Sequence, residues 1–298
     1  MPESRDRPYP PFDLATRTIA LPSDDMEGYL AYEFGGASTK SELLRLLPPG
    51  TTLEGLRVLD FGCGAGRTLR HFLEEAGDGE FWGADIDAGS IAWLHGNLCP
   101  PLNAVHCDVD PPLAFESESF DLAWAISVFT HLGANSAAWL LELHRILRPG
   151  GLLMASYMGE WNSERVASEP WDEGRIGMNM LRHNNPWDLG GPMILMSDWW
   201  VREHWCRAFE VVATSPWVHN QTWLMLRKKD VVITQEELLT PGDDPREWTA
   251  LRHNLVQLQR EIEAVQRTYE GSGSWRATRP LRALKSRLER WLSRASAR

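Results

Sequence analysis

Three aspartates follow three apolar runs at separations that suit one ligand. Asp60 comes behind Arg57-Val58-Leu59, Asp85 behind Phe81-Trp82-Gly83-Ala84, and Asp108 behind Ala104-Val105-His106-Cys107. Next to Asp60 stands Phe61-Gly62-Cys63-Gly64-Ala65-Gly66, a glycine turn between a predicted strand and a helix predicted to start near Arg67. Glycines there let a ligand approach the backbone closely, at a helix start that would offer free N–H groups. The spacing is G-x-G-x-G, with Arg67 where a dinucleotide fingerprint carries its third glycine. A pyrophosphate would meet the Asp60 carboxylate, so the pattern points away from a nicotinamide dinucleotide and towards a cationic or zwitterionic ligand. Asp85, 19 residues after Gly66, stands where a carboxylate accepts the hydroxyls of a ribose, and Asp108 where the rim of a sheet reaches an adenine amino group.

These residues need a sheet to position them, and the chain reads as one. Strand-like runs at 57–61, 80–84, 104–107, 120–126 and 152–157 alternate with helical patterns at 67–75, 89–97 and 134–147. Strand alternating with helix implies a parallel sheet covered on both faces. A helical pattern at 40–47 precedes the set, stopped by Pro48-Pro49-Gly50, and residues 2–36 read as an irregular lead-in. After Tyr157 comes a Trp-, Asn- and Gly-rich stretch, 159–196, then an N-cap at Ser197, a helix at 198–208 and strands at 209–214 and 222–227.

The segments Val58-Leu59-Asp60-Phe61-Gly62-Cys63-Gly64-Ala65-Gly66, Gly83-Ala84-Asp85-Ile86-Asp87, His106-Cys107-Asp108-Val109, the run 120–132 and Leu147-Arg148-Pro149-Gly150-Gly151 together resemble the class I S-adenosylmethionine-dependent methyltransferases, in order and spacing, over roughly residues 40–228. The resemblance implies an α/β, Rossmann-like seven-stranded sheet with a reversed last strand, and S-adenosylmethionine as cofactor. It implies that Asp60 and the backbone of Gly62, Cys63, Gly64 and Gly66 hold the methionine end and that Asp85 holds the ribose. Ile86 would flank the adenine, Asp108 and Val109 would bind its edge, and Ser127 and Val128 would lie beside the sulfonium. Tyr29, Tyr32 and Gly35 resemble a lead-in element that covers the cofactor.

Methyl transfer to a hydroxyl is helped by a general base, and histidine suits neutral pH. His131, after the fourth strand, is the first candidate, followed by His219 before the last strand and His183 in the insertion. Trp161, Trp171, Trp187 and Trp217 are expected over the cofactor rim as an acceptor wall, whereas Trp199, Trp200 and Trp205 are expected in the core.

A Pro/Asp-rich hinge, 240–245, leads to an appendage in which Trp248, Leu251, Leu255, Leu258, Ile262, Val265 and Tyr269 are spaced 3-4-3-4-3-4. That is a heptad seam of about three repeats and predicts a short coiled coil and a homo-oligomer. Ser272-Gly273-Ser274-Trp275-Arg276-Ala277-Thr278-Arg279-Pro280-Leu281-Arg282 resembles a tail at the ends of bacterial glycosyltransferases and methyltransferases for surface polysaccharides. Residues 275–298 hold eight Arg or Lys against Glu289, a charge of +7, so residues 1–274 carry -18 for the total of -11. So acidic a body argues against a nucleic-acid partner, and the basic amphipathic tail suits an anionic inner membrane face or a glycan-assembly protein.

With 43% hydrophobic residues the 298-residue chain is too apolar for disorder, and no apolar run approaches the ~20 residues of a membrane span. Cys63, Cys99, Cys107 and Cys206 form no CxxC or zinc-like set, so a reduced, cytoplasmic compartment without a metal site is expected. The expected organisation is a lead-in at 1–39, a catalytic domain at 40–229 with its insertion at 159–196, a linker at 230–246, a coiled coil at 247–270 and a basic tail at 271–298. The expected activity is O-methylation of a sugar hydroxyl in glycan assembly. Methylation of a small metabolite on O or N, or a non-catalytic scaffold of the same fold, are the alternatives.

Overall fold

Side-chain alternation decides which face of the sheet each strand residue covers, and the central strands are apolar on both. The computed structural model describes residues 7–17, 22–183, 185–186 and 191–278. Its elements begin with α1 (Phe12–Ala15), α2 (Met26–Leu46), β1 (Arg57–Phe61), β2 (Glu80–Asp85), α3 (Ala88–Asn97), β3 (Asn103–His106), β4 (Phe120–Ala125), α4 (Ser136–Ile146) and β5 (Leu147–Tyr157). They continue with α5 (Glu160–Asn162), β6 (Met178–Leu181), β7 (Met193–Met196), α6 (Asp198–His204), β8 (Phe209–Val218), β9 (Gln221–Lys228), α7 (Gln235–Leu239), α8 (Arg246–Gly271) and α9 (Gly273–Ala277).

The main sheet has seven strands in the order β3-β2-β1-β4-β5-β9-β8. β9 runs antiparallel to β5 and β8, whereas the remaining pairs are parallel. This is the Rossmann-like sheet with a reversed last strand. Val58, Trp124, Met154 and Met225 pack on one face, beneath Leu43 of α2, Leu94 of α3 and Phe72. Leu59, Ala123, Leu153 and Leu224 pack on the other, beneath Leu143 of α4 and Val201 and Trp205 around α6. Each fully buried Leu or Phe contributes roughly 1.5–3 kcal/mol, so the two layers hold the strand ends in fixed register. Strand order reverses between β1 and β4, which opens a crevice at their carboxyl ends.

Several elements differ from the sequence expectation. α2 starts well inside the stretch read as irregular, with Asp25 capping it through Glu27 and Gly28 N–H groups. Its glycines are there for contact: a Cβ on Gly36 would lie 2.1 Å from the Arg67 carbonyl oxygen. The expected helix at 67–75 is replaced by turns and two 3-10 stretches, Leu69–Phe72 and Glu75–Gly77. Lys40 Nζ takes the His71 carbonyl at 2.7 Å, and buried Arg70 reaches the Arg7 and Pro8 carbonyls at 2.6 and 3.2 Å, so the segment is bound by side chains from elsewhere.

The insertion, expected to be irregular, contains the antiparallel ribbon β6–β7. β7 is anchored over the rim by Ile194 N–H to the Thr130 carbonyl and Met196 N–H to the Met158 carbonyl, both 2.8 Å. The expected linker holds α7, whose capping box joins Thr234 and Glu237. Trp199, Trp200 and Trp205 are buried in the core. Trp187 and residues 279–298, which include most of the basic tail, lie outside the described residues.

The chain divides into two units, residues 1–251 and 252–298. In the second, the Tyr269 and Trp275 rings meet edge to face at 4.5 Å. Among the described residues no helix is long and apolar enough to cross a membrane. Within the first unit, His204 of α6 joins α7 to the first turn of α8. Its Nδ1 lies 2.8 Å from the Leu238 carbonyl and its Nε2 2.6 Å from Glu247 Oε1, and its ring stacks on Trp200 at 4.3 Å. Both nitrogens lie against oxygen atoms in a site almost closed to water. Removing one member of such a pair leaves the other buried without its partner, so Glu247→Ala should destabilise the fold by about 3–5 kcal/mol in urea denaturation.

Candidate functional site

The glycine turn after β1 is held from three sides. Gly62 and Gly66 have φ of +79° and +76°, a region that side chains disfavour. A Cβ on Gly62 would stand 2.4 Å from Val128 Cγ2, and one on Gly66 would stand 2.7 Å from Leu94 Cδ2. Buried Tyr32, on α2, donates from Oη to the Ala65 carbonyl at 3.3 Å, so it braces the turn through the backbone. Tyr29 donates to the Pro10 carbonyl at 2.9 Å and its ring meets that of Tyr9 in a tilted contact at 4.9 Å, which ties the lead-in segment to α2.

The turn spends its own donors. Gly62 and Cys63 N–H groups reach the Ala84 carbonyl at 2.8 and 3.2 Å, and Gly64 N–H reaches Asp85 Oδ2 at 2.7 Å. The expected helix start with free N–H groups is therefore not formed, because strand β2 takes those groups and α-helix does not follow. Cys63 is buried and packs where a Gly83 Cβ would be, 2.7 Å from its Sγ. Burial raises its thiol well above the usual range, with Asp85 and Asp60 adding to the effect.

What the turn presents instead is charge. Asp60 is buried, and its Oδ2 makes no hydrogen bond among the described residues. Burial pushes its carboxyl up to about 7, while Arg67 and the nearby Trp124 indole pull it down without closing a hydrogen bond to that oxygen. Arg67 Nε is likewise buried without a partner among the described residues. A carboxylate and a guanidinium, each with an unfilled position, match the ammonium and carboxylate of an amino acid.

Asp85 ends β2 with Oδ1 accepting from Asp87 N–H at 2.8 Å and Oδ2 from Gly64. Each oxygen keeps a further lone pair for a hydroxyl. Burial raises this carboxyl, and those two backbone donors oppose the rise. Ile86 is half-buried against the core and its carbonyl meets His106 Nε2 at 3.1 Å. Asp108 and Val109, beyond β3, are exposed on the same rim.

After β4, Ser127 sits at φ +61°. Its N–H donates to Ser156 Oγ at 2.7 Å, and its Oγ receives Gln221 Nε2 at 3.0 Å. The next residue, Val128, packs on Gly62, so this one dipeptide touches the glycine turn and the start of β9. Gln221 also lines a cleft of about 160 Å³ beyond β5, walled by Trp161, Trp171 and Trp217. Within the cleft, burial raises the Glu173 carboxyl, Trp171 and Arg246 oppose this, and Asp198 and Glu160 add to it.

The three histidines lie on different elements. His131 directs Nδ1 to the Pro192 carbonyl at 3.0 Å, so the neutral ring carries its proton there and Nε2 is the basic nitrogen. His219 lies in the β8–β9 turn with φ +48°, 5.8 Å from the Trp223 ring, and partial burial and then Arg67 lower its imidazole. His183 follows β6, at the far end of the ribbon. Sequence patterns had not singled out Gln221, Ser156, Asn162 or Glu173; the three tryptophans around them were the available signal.

Residues 58–151 match the family described as methyltransferase domain. Similar curated proteins include a 2-methyl-6-phytyl-1,4-hydroquinone methyltransferase from Synechocystis sp., 29% identical over 47% of this chain and 40% of its own. A tRNA U34 carboxymethyltransferase from Cellvibrio japonicus is 32% identical over 58% of this chain and 52% of its own. A ubiquinone biosynthesis O-methyltransferase from Bradyrhizobium sp. is 32% identical over 39% and 45%. The chain thus spans about half the length of the curated relatives it matches. An S-adenosylmethionine-dependent methyltransferase structure from Mesorhizobium loti, 18% identical, covers 65% of this chain and 99% of its own at a TM-score of 0.50, and shares the fold. Residues 58–151 thus match a methyltransferase domain on the shared Rossmann-like fold, and S-adenosylmethionine is the cofactor such a domain takes.

Asp60 fits that cofactor, since its orphaned oxygen wants a cation. Its raised carboxyl also sets a pH dependence. The folded state holds the proton up to about pH 7 and the unfolded state only to about 4, so stability from this group is full below pH 4 and is lost as pH rises to 7. Without cofactor this group's contribution should fall by roughly 4 kcal/mol over that interval, so the difference in stability between Asp60→Asn and the wild type should grow in favour of the variant as pH rises from 4 to 7, as read by chemical denaturation. Affinity for S-adenosylhomocysteine should rise between pH 6 and 8 in the wild type and stay low and flat in the variant.

Proposed function

We propose that the protein transfers a methyl group from S-adenosylmethionine to a sugar hydroxyl during assembly of a bacterial cell-surface glycan. One observation carries this: Gln221 bonds Ser127, which neighbours the glycine turn, and also lines the cleft formed by Trp161, Trp171 and Trp217. Indole faces stack on the C–H faces of sugars, and the segment 272–282 resembles tails of surface-polysaccharide enzymes. Methylation of a small metabolite is the second reading, favoured by the similarity to quinone and ubiquinone methyltransferases.

The cofactor supplies an electrophilic methyl on a sulfonium. Asp60 and the turn at Gly62, Cys63, Gly64 and Gly66 would hold its methionine end, with Tyr32 bracing the turn. Asp85 would hold the ribose, Ile86, Asp108 and Val109 the adenine, and Ser127 and Val128 would stand beside the reacting centre. Placement of the acceptor hydroxyl in line is the main contribution, since oriented reactants gain up to about 7–11 kcal/mol. His131 Nε2 would take the hydroxyl proton as the new C–O bond forms. His219 and His183 are second choices for that role.

The heptad helix has a proposed role of its own. Trp248, Leu251, Leu255, Ile262, Val265 and Tyr269 are each 40–66% exposed on α8, and we assign them to self-association. Light scattering should show a dimer or larger species, and Leu255→Arg with Ile262→Arg should return a monomer.

Labelled methyl transfer into a fractionated cell extract, followed by mass spectrometry, should yield a methylated sugar-bearing product. Label confined to quinone or other small metabolites would sink the glycan reading. His131→Ala should lower turnover by ~10²-fold or more with cofactor affinity within twofold, and unchanged turnover would reject it as the base.

A further inference from the structure

The tip of the β8–β9 hairpin carries three residues in left-handed backbone, and the turn accounts for two of them. Val218 pairs with Gln221, so His219 and Asn220, with φ of +48° and +62°, form the two-residue loop. Loops of that kind need positive φ at both positions. Trp217 lies before the loop, inside β8, at φ +67°. A bulky residue in that region is an outlier that costs stability and persists only where its surroundings enforce it.

The enforcement is a β-bulge. Ser215 pairs with Trp223 and Val218 with Gln221, so Pro216 and Trp217 together stand opposite Thr222. Both flanks of the bulge are pinned: Arg45 Nη2 of α2 donates to Ser215 Oγ at 2.6 Å, and Gln221 Nε2 donates to Ser127 Oγ at 3.0 Å. One extra residue reverses the alternation of faces beyond it. Ala213 and Val218, an odd separation, both pack in the layer that holds Leu43 of α2, whereas Trp217 leaves that layer and walls the cleft beyond β5. In an unbulged hairpin residue 217 would share the face of buried Ser215 and turn towards α2.

The indole so placed is 62% exposed and shares the cleft wall with the partly buried Trp161 and Trp171. Of the three only Trp217 has a positive φ, and Trp171 already gives its N–H to Glu173 Oε2 at 3.0 Å. A strained backbone that leaves a large apolar ring in water is unfavourable for the fold on both counts. An accessible indole in a cleft wall is suited to stacking on a ligand ring. We infer that Trp217 is the specificity-determining residue for the acceptor: the bulge holds its indole out of the core so that it stacks on the C–H face of the sugar ring entering the cleft. This rests on the sugar-acceptor reading and goes beyond it, because it assigns recognition to one side chain whose placement works against stability.

Trp217→Gly, Trp217→Ala and Trp217→Phe in the full-length protein test it. Each is compared with wild type in urea denaturation, in affinity for S-adenosylhomocysteine and in transfer of labelled methyl from S-adenosylmethionine to the active fraction of a cell extract. Glycine and alanine both remove the indole, but only glycine adopts φ +67° freely, so the glycine variant should have the higher urea midpoint of the two, the reverse of their usual order in a strand. Both should lose roughly tenfold or more in transfer at limiting extract, recover towards wild type at saturating extract, and keep S-adenosylhomocysteine affinity unchanged. Trp217→Phe, which keeps a stacking face, should transfer well above both. An alanine variant as stable as the glycine one, undiminished transfer by either, or a phenylalanine variant no better than they are would each overturn the inference. Mass spectrometry of the wild-type product separates this inference from the reading beneath it. A non-sugar product whose formation still depends on Trp217 overturns the sugar acceptor alone, and a sugar product formed equally by all variants overturns the role of Trp217 alone. No transfer by wild type would overturn both.

Discussion

A serine in left-handed backbone conformation is the constraint on which both halves of the site depend. Ser127 costs of order 1–2 kcal/mol at φ +61° relative to an ordinary strand or helix residue. It is over-determined by its bonds to Ser156 on β5 and Gln221 on β9. Holding the backbone there brings Val128 against Gly62, so the end of β4 and the turn after β1 can exist only in one mutual arrangement. Strain of this kind persists where its surroundings fix it, and here they are β5, next to β4, and β9 beyond it.

The turn adds an electrostatic constraint. Burial of Asp60 and Arg67 with unfilled hydrogen-bond positions costs stability in the empty protein. Their opposite charges reduce that cost without closing an ion pair. A zwitterionic ligand completes both groups, so the region least satisfied alone is the one that gains most from binding.

The sheet was legible because its signals are local and repeated. Apolar runs of five or six residues ending in acids, with helices between, specify a parallel sheet whatever packs on it. Asp60, Asp85 and the glycines sit at strand ends, where that pattern places them. The helix at 67–75 was misread because its periodicity is real, but Lys40 and Arg70 use the local backbone and neighbouring carbonyls for contacts far away in sequence. α2 was cut short for the converse reason: Gly35 and Gly36 lower helix propensity, and the close approach of Arg67 that makes glycine necessary is a tertiary fact. Gln221 and Asn162 carried no pattern at all. Their places, Gln221 against Ser127 and both in the cleft wall, are settled by three-dimensional packing.

The antiparallel entry of β9 has a consequence for how such a protein diversifies. Because that strand runs backwards between β5 and β8, the turn at Trp217, His219 and Gln221 arrives at the carboxyl rim beside β5 and not at the opposite end of the sheet. The glycine turn is encoded some 150 residues earlier and shares no backbone with it. Substitutions in the hairpin tip can change what is recognised while the ligand pocket at β1 and β2 stays intact. Heredity can therefore alter selectivity and chemistry separately, with the Ser127–Gln221 bond as the point where the two must still agree.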